Sequence, residues 1–203
     1  MKRLLHVATG NAHKLIELQH ALEAAFGPEV GLKSLRDFPE LPTPVENGAT
    51  LADNAFIKAQ ALFRACGGLC VADDTGLLVD ALGGAPGVHS ARWAGEGCSY
   101  ADNVAKMCRA IAPVPPDKRL ARFETVLAVV GPGGLAVELK GVCEGIILDM
   151  PRGEGGFGYD PVFFLPELGH TFAELTMADK NVHSHRGRAV AALVTWLREK
   201  LYW

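Results

Sequence analysis

Apolar and polar positions along the chain alternate between short apolar runs and stripes at helical spacing. Leu4 to Ala8 is an apolar run of strand length, and Leu15, Leu18, Leu22 and Ala25 recur on one helical face. A buried strand is therefore predicted to pass into a helix ending near Phe26. Val30 to Leu35 reads as a second strand, followed by a loop with Pro39, Pro42 and Pro44. Leu51, Ala55, Ala59 and Leu62 mark a helix that Thr50 and Asp53 cap and Gly67-Gly68 stop after Cys66. Val71-Ala72 reads as a strand running into Asp73-Asp74, with Thr75-Gly76 expected to turn the chain there. Ser99 and Asp102 cap a helix with Val104, Met107, Cys108 and Ile111 inward. Arg122 to Val130 and Leu135 to Leu148 read as two long strands joined by Gly131-Pro132-Gly133-Gly134, an antiparallel hairpin. Thr176 and Asp179 start a short helical stretch, and a last helix runs to about Leu201 with Ala189, Leu193, Trp196 and Leu197 on one face.

Early alternation of strands and helices followed by a long hairpin predicts an α/β fold. A mixed central sheet flanked by helices is expected, in two lobes with a cleft between them. No linker, internal repeat or low-complexity segment interrupts the 203 residues, so 1–203 is expected to be one domain. The net charge of -3 provides no basic face for nucleic acid. No apolar run approaches the roughly 20 residues that cross a bilayer, and the run after Lys2-Arg3 is too short for a signal-peptide core. Five cysteines without a CxxC pair suit buried apolar positions in a reducing cytosol better than disulfides or zinc, so a cytoplasmic location is expected.

Candidate chemistry centres on Asp73-Asp74. Adjacent carboxylates repel and raise each other's pKa. Either a divalent cation such as Mg²⁺ neutralises them, or they form an Asp-rich turn capping a strand. Thr9-Gly10-Asn11-Ala12-His13-Lys14 joins a strand to a helix N-terminus, with Asn11 as N-cap. Lys14 in the first turn opposes the helix dipole, which suggests an anion there. Arg186 stands likewise at a helix start. Lys58 lies beside the apolar stripe of its helix, within possible reach of phosphate. Gly153-Glu154-Gly155-Gly156-Phe157-Gly158 matches GxGxxG, but no helix follows it, so a dinucleotide site is rejected. That loop is expected to present Phe157, Tyr159 and Asp160 to a base.

Five stretches, in order and spanning nearly the whole chain, resemble one family. They are Thr9 to Lys14 (TGNxxK), Ala72 to Gly76 (ADDSG), Gly83 to Gly87 with Ser90-Ala91-Arg92 (GGxPG…SAR), Gly155 to Pro161 (GGFGYDP) and Ser184 to Gly187 (SHRG). The family is that of inosine triphosphate pyrophosphatases. The resemblance implies a homodimer with a nucleotide cleft that hydrolyses deaminated purine triphosphates (ITP, dITP, XTP) to monophosphate and pyrophosphate with Mg²⁺. It implies Asp74 as catalytic base and metal ligand, Glu46 as metal ligand and Asp73 as support for the metal site. Thr9, Gly10, Asn11, Ala12, His13 and Lys14 would hold phosphate, with Lys58 and Thr75 nearby. Phe157, Gly158, Tyr159, Asp160, Lys180, His185 and Arg186 would hold sugar and base. Thr75 departs from the family's usual Ser but keeps the hydroxyl. A pyrophosphatase for other modified nucleotides and a non-catalytic nucleotide-binding protein are the alternatives.

Overall fold

The computed structural model describes residues 3–200, apart from the side chain of His13. The chain runs β1 (Arg3–Val7), α1 (Ala12–Phe26), β2 (Val30–Ser34), α2 (Leu51–Cys66), β3 (Cys70–Val79), β4 (Pro86–Gly87), α3 (Tyr100–Ile111), β5 (Leu120–Gly131), β6 (Leu135–Ile147), β7 (Phe163–Leu165), β8 (His170–Thr171), α4 (Met177–His183) and α5 (His185–Glu199). The strands hydrogen-bond in the order β2-β1-β3-β5-β6-β7-β8, with β4 added to β3. β1 is parallel to β2 and β3, whereas β3–β4, β6–β7 and β7–β8 are antiparallel, so the sheet is mixed. The three-residue turn Pro132–Gly134 joins β5 to β6, which makes that pair the predicted hairpin. The predicted helix end at Leu201 lies outside the described residues.

Two compact units divide the chain. The first holds the chain up to Asp74, Thr125–Gly141 and the chain from Arg186 onward. Its core joins Leu5 and Val7 of β1, Leu18 and Leu22 of α1, Val71 of β3, Leu127 and Val129 of β5, and Leu193 and Leu197 of α5. α1 and α5 thus share one face of the sheet. α2 buries Ala55, Ala59 and Leu62 completely. Its first turn carries the predicted capping box, with Thr50 and Asp53 each bonding the other's backbone N–H, and Gly67 caps its C-terminus. The second unit holds Thr75–Glu124 and Val142–His185. Its core packs Phe123, Phe163 and Phe172 with Leu77, Met107 and Ile111.

One expectation about β3 is overturned. Thr75 and Gly76 do not turn the chain: β3 runs unbroken from Cys70 to Val79. It is β1 that stops. His6 lies beside Cys70 and Val7 beside Val71, and the Ala8 N–H donates to the Val71 carbonyl at 2.8 Å. β3 then continues past the end of β1, and this places the two aspartates by a parallel strand's carboxyl end, where α/β sheets bind ligands.

Candidate active site

In the first unit a cavity of about 380 Å³ opens at the end of β1. Thr9, Gly10, Asn11 and Lys14 line one side, and Glu46, Lys58 and Asp73 join Lys14 as its charged residues. The Asn11 side chain accepts the Lys14 N–H at 3.4 Å, so Asn11 is the helix cap that was expected. Thr9 Oγ1 accepts the Asn11 N–H at 3.2 Å, tightening the turn, and Ala12 opens α1.

Successive residues of a strand point to opposite faces, and Asp73 and Asp74 do so. Asp73 turns to the α1 and α5 side. Lys14 Nζ stands 2.6 Å from its Oδ2 and Arg186 Nε 4.0 Å away, and Arg186 also donates to Glu17 Oε2 at 3.1 Å. The two cations that oppose their helix dipoles therefore both meet an internal anion, Asp73. Burial works to raise the Asp73 pKa, but Lys14 and Arg186 together hold it below the usual carboxylate range.

Asp74 turns to the α2 side. Lys58 Nζ lies 2.8 Å from Asp74 Oδ1 and 3.1 Å from Glu46 Oε2, so one ammonium serves two carboxylates. Burial raises the Asp74 pKa, Lys58 opposes the rise, and Glu46 adds to it. The like charge acting on Asp74 is thus Glu46, and the expected mutual repulsion of the aspartate pair gives way to strand alternation. Burial works to lower the Lys58 pKa, yet the facing carboxylates, Asp74 foremost, carry it above its ordinary value. Two hard oxygen donors converging on one positive charge form a donor set that fits Mg²⁺. Asp73 lines the same cavity as Glu46 and Lys58 and helps to raise the Lys58 pKa, while Lys14 and Arg186 hold its own carboxylate.

In the second unit the Gly155 to Pro161 stretch differs from the exposed loop that was expected. Tyr159 is buried in the core, and its hydroxyl donates to the Ser90 carbonyl at 2.9 Å. Asp160 is buried too. Its Oδ2 accepts the Phe157 N–H at 2.8 Å and pairs with Lys180 Nζ at 2.8 Å. Gly156 has φ +75°, and a Cβ there would lie 2.1 Å from Asp160 Oδ2, so only glycine closes this turn. Phe157 is half-buried, with the Tyr100 ring 6.1 Å and Lys180 Nζ 5.4 Å from its centre. Gly158 beside it is half-buried. His185 is buried and stacks on Phe123 at 4.5 Å and 16°. Thr75 is half-buried within β3.

The description "Ham1 family" belongs to a family model that matches residues 5–196. The chain belongs to the Ham1 family. Among curated relatives, the dITP/XTP pyrophosphatase of Geobacillus kaustophilus is 51% identical over 193 residues, covering 95% of this chain and 93% of that protein. The dITP/XTP pyrophosphatase of Geobacter sulfurreducens is 47% identical, covering 95% of each. Among solved structures, the Staphylococcus aureus Ham1 protein superposes with a TM-score of 0.88 at 33% identity, covering 98% of this chain and all of that one. A nucleoside-triphosphatase / dITP/XTP pyrophosphatase from Mycobacterium abscessus matches with a TM-score of 0.78 at 44% identity, covering 96% and 99%.

Two polar residues of this Ham1 chain escape a reading of the sequence. Asn54 is buried in α2 and accepts the Gly48 N–H at 2.8 Å, tying the loop that carries Glu46 to the helix that carries Lys58. A Cβ on Gly48 would meet Asp53 Cβ at 2.5 Å, so the tether needs glycine. Glu17 holds Arg186 from across 169 residues. Asn54 stands four residues before Lys58, a helical neighbour that could have been noticed. Nothing in the sequence points to Glu17.

Proposed function

We propose that this Ham1 chain is a Mg²⁺-dependent pyrophosphatase that hydrolyses deaminated purine nucleoside triphosphates (dITP, ITP, XTP) to the monophosphate and pyrophosphate. Such an activity cleanses the nucleotide pool. The observation that carries the reading is the meeting of Glu46 and Asp74 on Lys58, with Glu46 and Lys58 lining a cavity that the N-terminus of α1 also lines. Glu46 and Asp74 would hold Mg²⁺, which would supply a Lewis acid for phosphate oxygens. Asp74 takes a proton from the attacking water. The water oxygen bonds to the α-phosphorus, the α–β bridge breaks and pyrophosphate leaves. Lys58 and Lys14 offset triphosphate charge, and the α1 N-terminal turn from Thr9 supplies backbone N–H groups.

Phe157 stacks the base, with Asp160, Lys180 and His185 behind it and Gly158 giving close approach. Tyr159 acts by holding that loop on Ser90. Arg186 can donate to a 6-oxo group, in competition with Glu17 and Asp73, which share its guanidinium. Adenine's 6-amino group is itself a donor and could not accept that bond. Residues 1–203 act as one catalytic domain, and a homodimer in the cytoplasm is the setting that goes with this activity. The test is an anion-exchange product assay with Mg²⁺ and dITP, XTP, dGTP or dATP. Monophosphate plus pyrophosphate from dITP and XTP, with dGTP and dATP nearly untouched, is expected. Diphosphate plus phosphate would sink the mechanism. Arg186→Lys with an unchanged dITP-over-dATP ratio would remove Arg186 from base reading.

A further inference from the structure

His6, Cys66 and Cys70 form a cluster that the nucleotide chemistry does not use. One ligand atom of each lies within 4.8 Å of the other two. The fold builds this meeting from three elements. Cys66 is the last residue of α2, Cys70 is the first of β3, and His6 sits beside Cys70 in the parallel β1–β3 register, so both point to the same face. The two Sγ atoms are 3.3 Å apart, and Cys70 Sγ also approaches the Gly68 carbonyl at 3.4 Å. His6 Nδ1 is 3.2 Å from the Leu69 carbonyl oxygen. A carbonyl only accepts, so the proton sits on Nδ1 and Nε2 keeps its lone pair. This is the arrangement that orients an imidazole for metal ligation.

We propose that His6, Cys66 and Cys70 bind a soft or borderline divalent cation of the Zn²⁺ class. Two thiolates on a tetrahedral ion at 2.3 Å stand about 3.8 Å apart, so the sulfurs need to separate by only about half an ångström. Binding expels one proton from each thiol to solvent. Two thiolates, a neutral imidazole and a dication then sum to zero charge, which suits a pocket where His6 and Cys70 are buried. Cys66 is half-exposed, so a water can complete the tetrahedron. Sulfur and nitrogen donors select against Mg²⁺, so this site and the Glu46–Asp74 carboxylates take different ions. Its effect would be to clamp the C-terminus of α2, two turns beyond Lys58, to the strand that carries Asp74.

The test uses the reduced full-length chain titrated with Co²⁺ and Zn²⁺ in excess Mg²⁺. Wild type and the control Cys98→Ala, a cysteine of the second unit, should bind one equivalent of Co²⁺ with a thiolate-to-cobalt absorption band. Zn²⁺ should abolish that band and raise Tm. Cys66→Ala at the half-exposed helix end, and separately Cys70→Ala, should lose the band. His6→Gln should weaken binding at least ~10-fold, with circular dichroism checking that each variant is folded. A wild type without the band, or a band that survives in Cys66→Ala and Cys70→Ala, would overturn the proposal. So would a Cys66–Cys70 disulfide formed under mild oxidant by a protein that binds neither metal when reduced, since the pair would then be a redox couple.

Discussion

Asp73 is ionised beside Lys14 and Arg186, whereas Asp74 shares a single ammonium with Glu46. The two residues therefore make opposite contributions to stability. The lowered pKa of Asp73 stabilises the fold above the unfolded carboxylate value of about 3.9, and this is lost as pH falls through the folded value. The raised pKa of Asp74 means that its ionised form costs stability above the folded value, a cost relieved as pH falls. At neutral pH Asp73→Asn should lower Tm. Removing one partner from a buried ion pair costs ~3 kcal/mol or more, on the order of 6–12 °C for a chain of this size. Asp74→Asn should abolish turnover and lower Tm by less than Asp73→Asn does, because Lys58 keeps Glu46 and the burial cost of the Asp74 carboxylate is removed. Differential scanning calorimetry alongside the product assay would check this, and a larger fall for Asp74→Asn would refute it. Lys58→Met removes the charge that restrains the Asp74 pKa. The acid limb of its residual kcat/KM profile should move to higher pH, and a limb that stays in place or moves down would contradict the pairing.

Among the elements, α2 organises the carboxylates, because its first turn is capped, its side chain Asn54 holds the Glu46 loop and its middle carries Lys58. Thr50→Ala should cost ~1 kcal/mol through the lost cap, a fall in Tm of about 2–4 °C. Asn54→Ala should do something different and loosen Glu46. The Mg²⁺ concentration for half-maximal rate should rise while the KM for nucleotide at saturating Mg²⁺ changes little. An unchanged Mg²⁺ requirement would reduce Asn54 to a packing role. These helices were legible because caps and stripes are local signals. Thr50–Asp53, Ser99–Asp102 and Thr176–Asp179 each sit three residues apart, and the structure shows all three at helix starts. β4, β7 and β8, of two or three residues each, are too short to show a period.

For the molecule as a whole, chelation of divalent cations should abolish pyrophosphate release, and added Mg²⁺ should restore it. Activity that persists in chelator would remove the Glu46–Asp74 metal from the mechanism. The mixed sheet, its long hairpin and the inward faces of the long helices could be anticipated from the sequence, since burial leaves a periodic trace. What could not be read rests on contacts far apart in the chain. Tyr159 is buried because Ser90 accepts its hydroxyl, Arg186 meets Glu17 from the other end of the protein, and His6 meets Cys70 through strand register. The turn expected after the Asp pair was misread for another reason. A Thr-Gly step resembles a turn, but β3 extends through it, and extension assigns neighbours by odd and even position. That parity has a consequence for how β3 can change. With Val71 held beside Val7, inserting one residue before Asp73 would carry Asp73 into the place that faces Lys58 and push Asp74 about 3.3 Å further along the strand, and inserting two would keep the faces but slide both acids about 7 Å past their lysines. The motif is therefore fixed in length as well as in letters.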